Sequence, residues 1–118
     1  MSSPPVSGLE ALCQNYFAHL LSPALSTLVR RLTDEEWEVR DAVAQAIVES
    51  GPCSVAELPG LIAALEDENP GVRFCIAMAL RKMGHKAKSA VPALKRLLKD
   101  EDEMPRTAAA AALARIDR

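Results

Sequence analysis

The residue types that usually carry chemistry are few here, and none of them gathers into a constellation. The two histidines, His19 and His85, lie far apart, and neither has a second metal-ligand residue at a suitable spacing. His85 directly follows Gly84 and reads as a loop residue. No serine stands in a nucleophile motif, and the five glycines are too dispersed to build a phosphate-cradling loop. Three cysteines, Cys13, Cys53 and Cys75, form an odd set without a C-x-x-C spacing. They read as reduced thiols of a cytoplasmic protein, with Cys75 as a small core residue. The expectation is a non-enzymatic chain with no cofactor and no metal.

Charge is more informative in its distribution than in its sum. The formal net charge is −2, yet residues 34–68 hold ten acidic side chains against one basic one, Arg40. Residues 69–99 reverse this with eight basic side chains and no acid, and "DEDE" at 100–103 turns acidic again. The basic stretch raises nucleic-acid binding as an alternative. Against it stand the negative net charge and an aromatic content of 3%, which leaves few groups to stack on bases. The clusters "TDEEWE", "EDEN" and "DEDE" have two readings: an acidic rim for a basic partner or cation, or charges that stabilise the positive end of each following helix. No calcium-loop pattern accompanies them.

A chain of 118 residues with 49% hydrophobic and 25% charged side chains is one globular domain by length and composition. Abundant Ala and Leu with few aromatics favour close-packed helices over sheets. The opening "MSSPPVSG" lacks the features of a secretory leader, and no apolar run approaches the roughly 20 residues of a membrane span, so no membrane partner is expected.

The chain repeats itself at a spacing of 33. Val39-Arg40, Val72-Arg73 and Pro105-Arg106 align, as do Leu28/Leu61/Leu94, Leu32/Leu65/Leu98, Asp34/Asp67/Asp100 and Ala46/Ala79/Ala112. Each unit reads as two helices. Leu58, Leu61, Ile62 and Leu65 form the apolar stripe of a first helix. Val72, Cys75, Ile76, Ala79, Leu80 and Met83 form the buried face of a second. Asn69-Pro70 is a start signal and Gly84 a stop signal for that second helix. Ser54 and Glu57 have capping-box spacing, but Pro59 then requires the first helix to kink or to begin later. Residues 9–21 fall outside the register and read as a capping helix, preceded by a disordered stretch over 1–8.

The unit "LPGLIAALEDENPGVRFCIAMALRKMG" resembles a HEAT repeat, of the short bacterial type related to phycobilin-lyase-like repeats. The resemblance covers roughly residues 22–118 and implies an all-α, right-handed α-solenoid of three helical hairpins, at about 22–51, 52–84 and 85–118. It further implies a ladder between units built from Asp34/Asp67/Asp100 and Arg40/Arg73/Arg106. The His-Glu pairs of the iron-dependent hydroxylases with this fold are absent.

Such solenoids bind on their concave face. Projection of the second helices puts Trp37, Asp41, Ala44, Gln45 and Val48 there from the first unit, and Phe74, Ala77, Met78 and Arg81 from the second. Thr107, Ala110, Ala111 and Ala114 follow from the third. The expected function is a protein-interaction scaffold whose partner contacts Trp37, Asp41, Gln45, Phe74, Met78 and Arg81, with Phe74 and Met78 as anchors. The competing reading is that Phe74 and Met78 simply pack against adjacent helices. Two other functions stay open: a chromophore- or phycobiliprotein-associated lyase or chaperone, implied by the resemblance alone, and weak nucleic-acid binding through 73–99. The Ala- and Leu-rich C-terminal face is either tolerated as mildly apolar or a homo-oligomer contact.

Overall fold

The computed structural model describes residues 27–50 and 53–117; the stretches 1–8 and 9–21 lie outside them. Residues 27–30 are helical and run into a 3-10 turn at Arg31–Thr33. Five helices follow: α1 (Trp37–Ser50), α2 (Leu58–Ala64), α3 (Pro70–Met83), α4 (Val91–Leu97) and α5 (Glu103–Ile116). There is no strand among the described residues.

Local chemistry sets the helix ends. The Asn69 side chain accepts hydrogen bonds from the backbone N–H groups of Gly71 at 2.7 Å and Val72 at 3.3 Å, while Pro70 occupies a first-turn position that needs no donor. A cap of this kind stabilises by about 1 kcal/mol. At the other end Gly84 takes φ 62°, a left-handed conformation that side chains with a Cβ resist, and its N–H returns to Arg81 O. The conflict between the Ser54 cap and Pro59 is resolved by a change of helix type. The Ser54 N–H donates to the Glu57 carboxylate at 3.0 Å and opens a 3-10 turn, Val55–Glu57. The α-helix begins only at Leu58, with Pro59 in its first turn, where its missing N–H costs nothing. Short 3-10 turns interrupted by a kink at Ala87 span Gly84–Ala90 before α4, which holds Pro92 in its first turn.

The three longer helices stand side by side, α1 against α3 and α3 against α5, with the shorter α2 and α4 packed on them. Leu61, Leu65, Val72, Ile76, Ala79, Leu80 and Leu94 are fully or almost fully buried between these elements. This is an all-α solenoid in which each hairpin covers a face of its neighbour.

Burial corrects the sequence projection at two places. Ala44 and Ala77, expected on the open face, are completely buried. Helical periodicity locates the stripe facing a helix's own hairpin partner. It does not register the second contact, made flank to flank with the next long helix, and a stacked helix therefore buries more than one stripe. Cys75 departs in the opposite sense, being half-buried against the core.

Candidate interaction surface

The loops between paired helices are built three times from one arrangement. Asp34, Asp67 and Asp100 each accept a hydrogen bond through Oδ1 from the backbone N–H two residues on, at 3.0, 2.8 and 2.9 Å. Each loop is then gripped by an arginine six residues after its aspartate. Arg40 Nη1 donates to Asp34 O and Glu35 O, Arg73 Nη1 to Asp67 O and Glu68 O, and Arg106 Nη1 to Asp100 O. The remaining guanidinium nitrogens reach into the next unit. Arg40 donates through Nε and Nη2 to the two oxygens of Asp67 at 2.7 and 3.2 Å. Arg73 does the same to Asp100 at 2.7 and 2.9 Å, and its Nη2 also meets Asp102 at 3.0 Å. The ladder therefore has a direction, from the arginine of one unit to the aspartate of the following one. It consists of bidentate, charge-assisted bonds in a low-exposure setting.

Titration behaviour follows from these contacts. Burial works to raise the Asp100 pKa, but the hydrogen bonds from Arg73 and the Asp102 N–H, with the charges of Arg73 and Arg106, outweigh it and leave the group below its ordinary value. The Arg40 pKa is raised, first by its hydrogen bond to Asp67, with burial acting in opposition. The acidic clusters thus divide: Asp67 and Asp100 are structural, whereas Glu35, Glu68 and Glu101 face solvent.

The six residues expected to contact a partner separate into distinct settings. Trp37 opens α1 with 51% of its surface exposed. It lines a shallow groove with Arg40, Glu68, Asn69 and Pro70. Phe74 is half-buried and lines a second, more apolar groove of about 260 Å³ with Pro70, Gly71, Asp102, Glu103, Met104 and Pro105. Pro70 forms a wall of both grooves. Trp37, Pro70, Phe74 and Met104 consequently follow one another across the N-terminal ends of α1, α3 and α5.

Met78 is half-buried against the core, and Arg81 belongs to a separate shallow surface with Ala111, Ala114 and Arg115. Gln45 is exposed and donates to Asp41 at 3.1 Å. The Asp41 carboxylate faces the start of α3, where a Cβ on Gly71 would lie 2.8 Å from its Oδ1. Phe74 is thus joined to Trp37 through Pro70, while Arg81 lies apart.

Met104 was absent from the sequence-based set and is the most exposed large apolar side chain described, at 60%. A signal existed: it stands one period beyond Gly71 and two beyond Glu38, so all three copies differ at that position.

The basic segment is dispersed among different tasks. Arg73 belongs to the ladder, Lys82 Nζ donates to the Val48 carbonyl, and Arg96 pairs with Glu66 at 3.3 Å. Lys88 lies 4.0 Å from Asp117. Among the described residues no group of three or more His, Cys, Asp or Glu side chains is placed to hold a metal, and no helix is long and apolar enough to cross a membrane.

Stacked helical hairpins joined by an Asp–Arg ladder define a repeat protein of the α-solenoid class. A family model described as HEAT repeats matches residues 58–118, more than half of the chain, and a single HEAT repeat model matches residues 24–53. The chain belongs to the HEAT-repeat family. No curated protein matches it.

Proposed function

We propose that the chain is a non-enzymatic interaction module that holds a protein partner along the row Trp37, Pro70, Phe74 and Met104. HEAT repeats generally act as protein-interaction scaffolds. The observation that carries the specific reading is the pairing of two well-exposed large apolar side chains, Trp37 and Met104, on either side of half-buried Phe74. Exposed apolar groups that adjoin one another across three elements mark an interaction surface more often than isolated ones do. Glu68, Asp102 and Glu103 border the row, so the favoured partner is an apolar segment flanked by basic residues. Aromatic and Met anchors inside a charged rim are the usual anatomy of such contacts. The half-buried and fully buried thiols, Cys75 and Cys53, are both free, which suits a cytoplasmic setting.

The test compares affinity capture from the native host by the wild-type chain and by Trp37→Ser/Met104→Ser. Both side chains are exposed, so helicity by circular dichroism should be unchanged while the captured partner is lost. Equal recovery of the same partner by the double variant would remove this surface from consideration.

A further inference from the structure

In the joint between α1 and α3 the Asp41 carboxylate faces Gly71, and one period on the same two positions are Phe74 and Met104. A carboxylate over a glycine is replaced there by two large apolar side chains, and between α3 and α5 they line a groove of about 260 Å³. The groove is internal to the stack. Gly71 and Phe74 come from α3, Met104 and Pro105 from the first turn of α5, and Asp102 and Glu103 border them.

The carboxylates beside this groove outnumber the cations bonded to them. Asp100, Glu101, Asp102 and Glu103 succeed one another, and the two arginines bonded to their loop are Arg73 and Arg106. Asp102 is held in place yet only half used. It precedes α5 without capping it, and its Oδ2 instead meets Arg73 Nη2 at 3.0 Å. Its Oδ1 has no donor among the described residues, and its side chain is 49% exposed. Glu103 is exposed and pairs with no cation among the described residues. A carboxylate oriented by a buried arginine, with a free oxygen beside an apolar groove, complements a cation that adjoins an apolar group.

We infer that this groove selects a short linear segment of a partner protein in which an aliphatic or aromatic side chain lies next to a lysine or arginine. The inference rests on the apolar row being the binding surface. The apolar side chain lies between Phe74 and Met104, and the cation bonds Asp102 Oδ1 with Glu103 beside it. Met104 adapts its shape, so the groove tolerates different apolar anchors, and the charge supplies the selectivity. Acidic or phosphorylated segments, and nucleic acid, meet the uncompensated carboxylates and are rejected. Asp102 is therefore a specificity-determining residue and not only a member of the Arg73 network.

The experiment selects phage-displayed random peptides on the immobilised full chain and measures the most enriched peptide by fluorescence anisotropy. Enriched sequences should share an apolar residue adjacent to Lys or Arg. Asp102→Asn keeps an oxygen for Arg73 and should weaken binding about tenfold, with a shallower salt dependence. Glu103→Gln should weaken it about twofold to threefold, and Met104→Ser about tenfold or more. Circular dichroism should show unchanged helicity in all three variants. Replacing the peptide's basic residue by Gln should cost as much as Asp102→Asn, and combining the two changes should cost little more than either alone. Absence of enrichment, or enrichment of acidic sequences, overturns the proposal. So does a peptide weakened by Met104→Ser but indifferent to Asp102→Asn, a result that leaves the apolar row standing and removes the cation site. Indifference to Met104→Ser overturns both, because the row itself would not be the binding surface.

Discussion

Replacing Arg73 by Ala removes five hydrogen bonds reaching two loops: Nε and Nη2 to Asp100, Nη2 to Asp102, and Nη1 to the carbonyls of Asp67 and Glu68. The Asp100 carboxylate, 9% exposed, loses its bidentate partner and keeps only the nearby charge of Arg106. Breaking a buried pair from one side costs about 3–5 kcal/mol, because the surviving charge remains desolvated. Asp102 is half exposed and can be hydrated, so the lower part of that range applies, about 3 kcal/mol. For a chain of this size that corresponds to a fall in melting temperature of roughly 10–15 °C. Arg106→Ala removes one bond from an exposed side chain and should change stability by no more than about 0.5 kcal/mol. The assay is thermal unfolding followed by circular dichroism.

Acid provides an internal check on the cause. In the wild type the depressed Asp100 pKa contributes stability that is fully present above the ordinary carboxylate pKa and is lost as pH falls through the lower folded value. Without Arg73 the principal remaining influence on Asp100 is burial, which raises its pKa and makes protonation relieve the defect. The gap between the two proteins should therefore narrow as pH is lowered below about 4. If Arg73→Ala melts within about 2 °C of wild type, or Arg106→Ala is equally damaging, the directional ladder does not hold the units together.

Gly71→Ala should destabilise by about 1–3 kcal/mol, because the new Cβ would fall 2.8 Å from Asp41 Oδ1 and 2.9 Å from the Asn69 Oδ1 that caps α3. Removing the Asp41 carboxylate in addition should recover part of this loss in denaturant unfolding, and a neutral single variant would contradict the geometry. Burial, and secondarily Glu57, pushes the Cys53 thiol up to about 11, so at pH 8 it holds about a hundredfold fewer thiolates than an unperturbed cysteine. In a Cys13→Ser background, half-buried Cys75 should react first with an aromatic disulfide reagent, and Cys53 only on unfolding. Fast native-state labelling of Cys53 would show that its burial is wrong.

Much of this was legible in residue order. The Asn69-Pro70 start and the Gly84 stop are local chemistry, decided by a side chain that caps its own helix and a backbone that must turn left-handed. The apolar stripe of Leu58, Leu61 and Leu65 is a matter of helical period, as is the alignment of Asp and Arg at a spacing of 33. The site was less legible. Phe74 and Met78 stand where the first unit has Asp41 and Gln45, and Phe74 lies in an apolar groove, but Arg81 lines a different surface and Met104 was missed. Met104 sits on the third unit, whose neighbours in space are supplied by residues of the second.

Sequence alone determined where α3 begins and ends, which stripe the helices turn toward their hairpin partners, and that the units are copies of one another. These depend on interactions within a few residues or on a count along the chain. Tertiary structure decided which flanks are shared between units. Ala44 and Ala77 are sealed only because another long helix lies alongside, and Arg40 and Arg73 find their carboxylates 27 residues further on. The same reasoning separates Arg73 from Arg106. The two are equivalent in the repeat, yet one is a buried tie and the other is exposed, because burial is conferred by the neighbouring unit and is not a property of the residue's own helix.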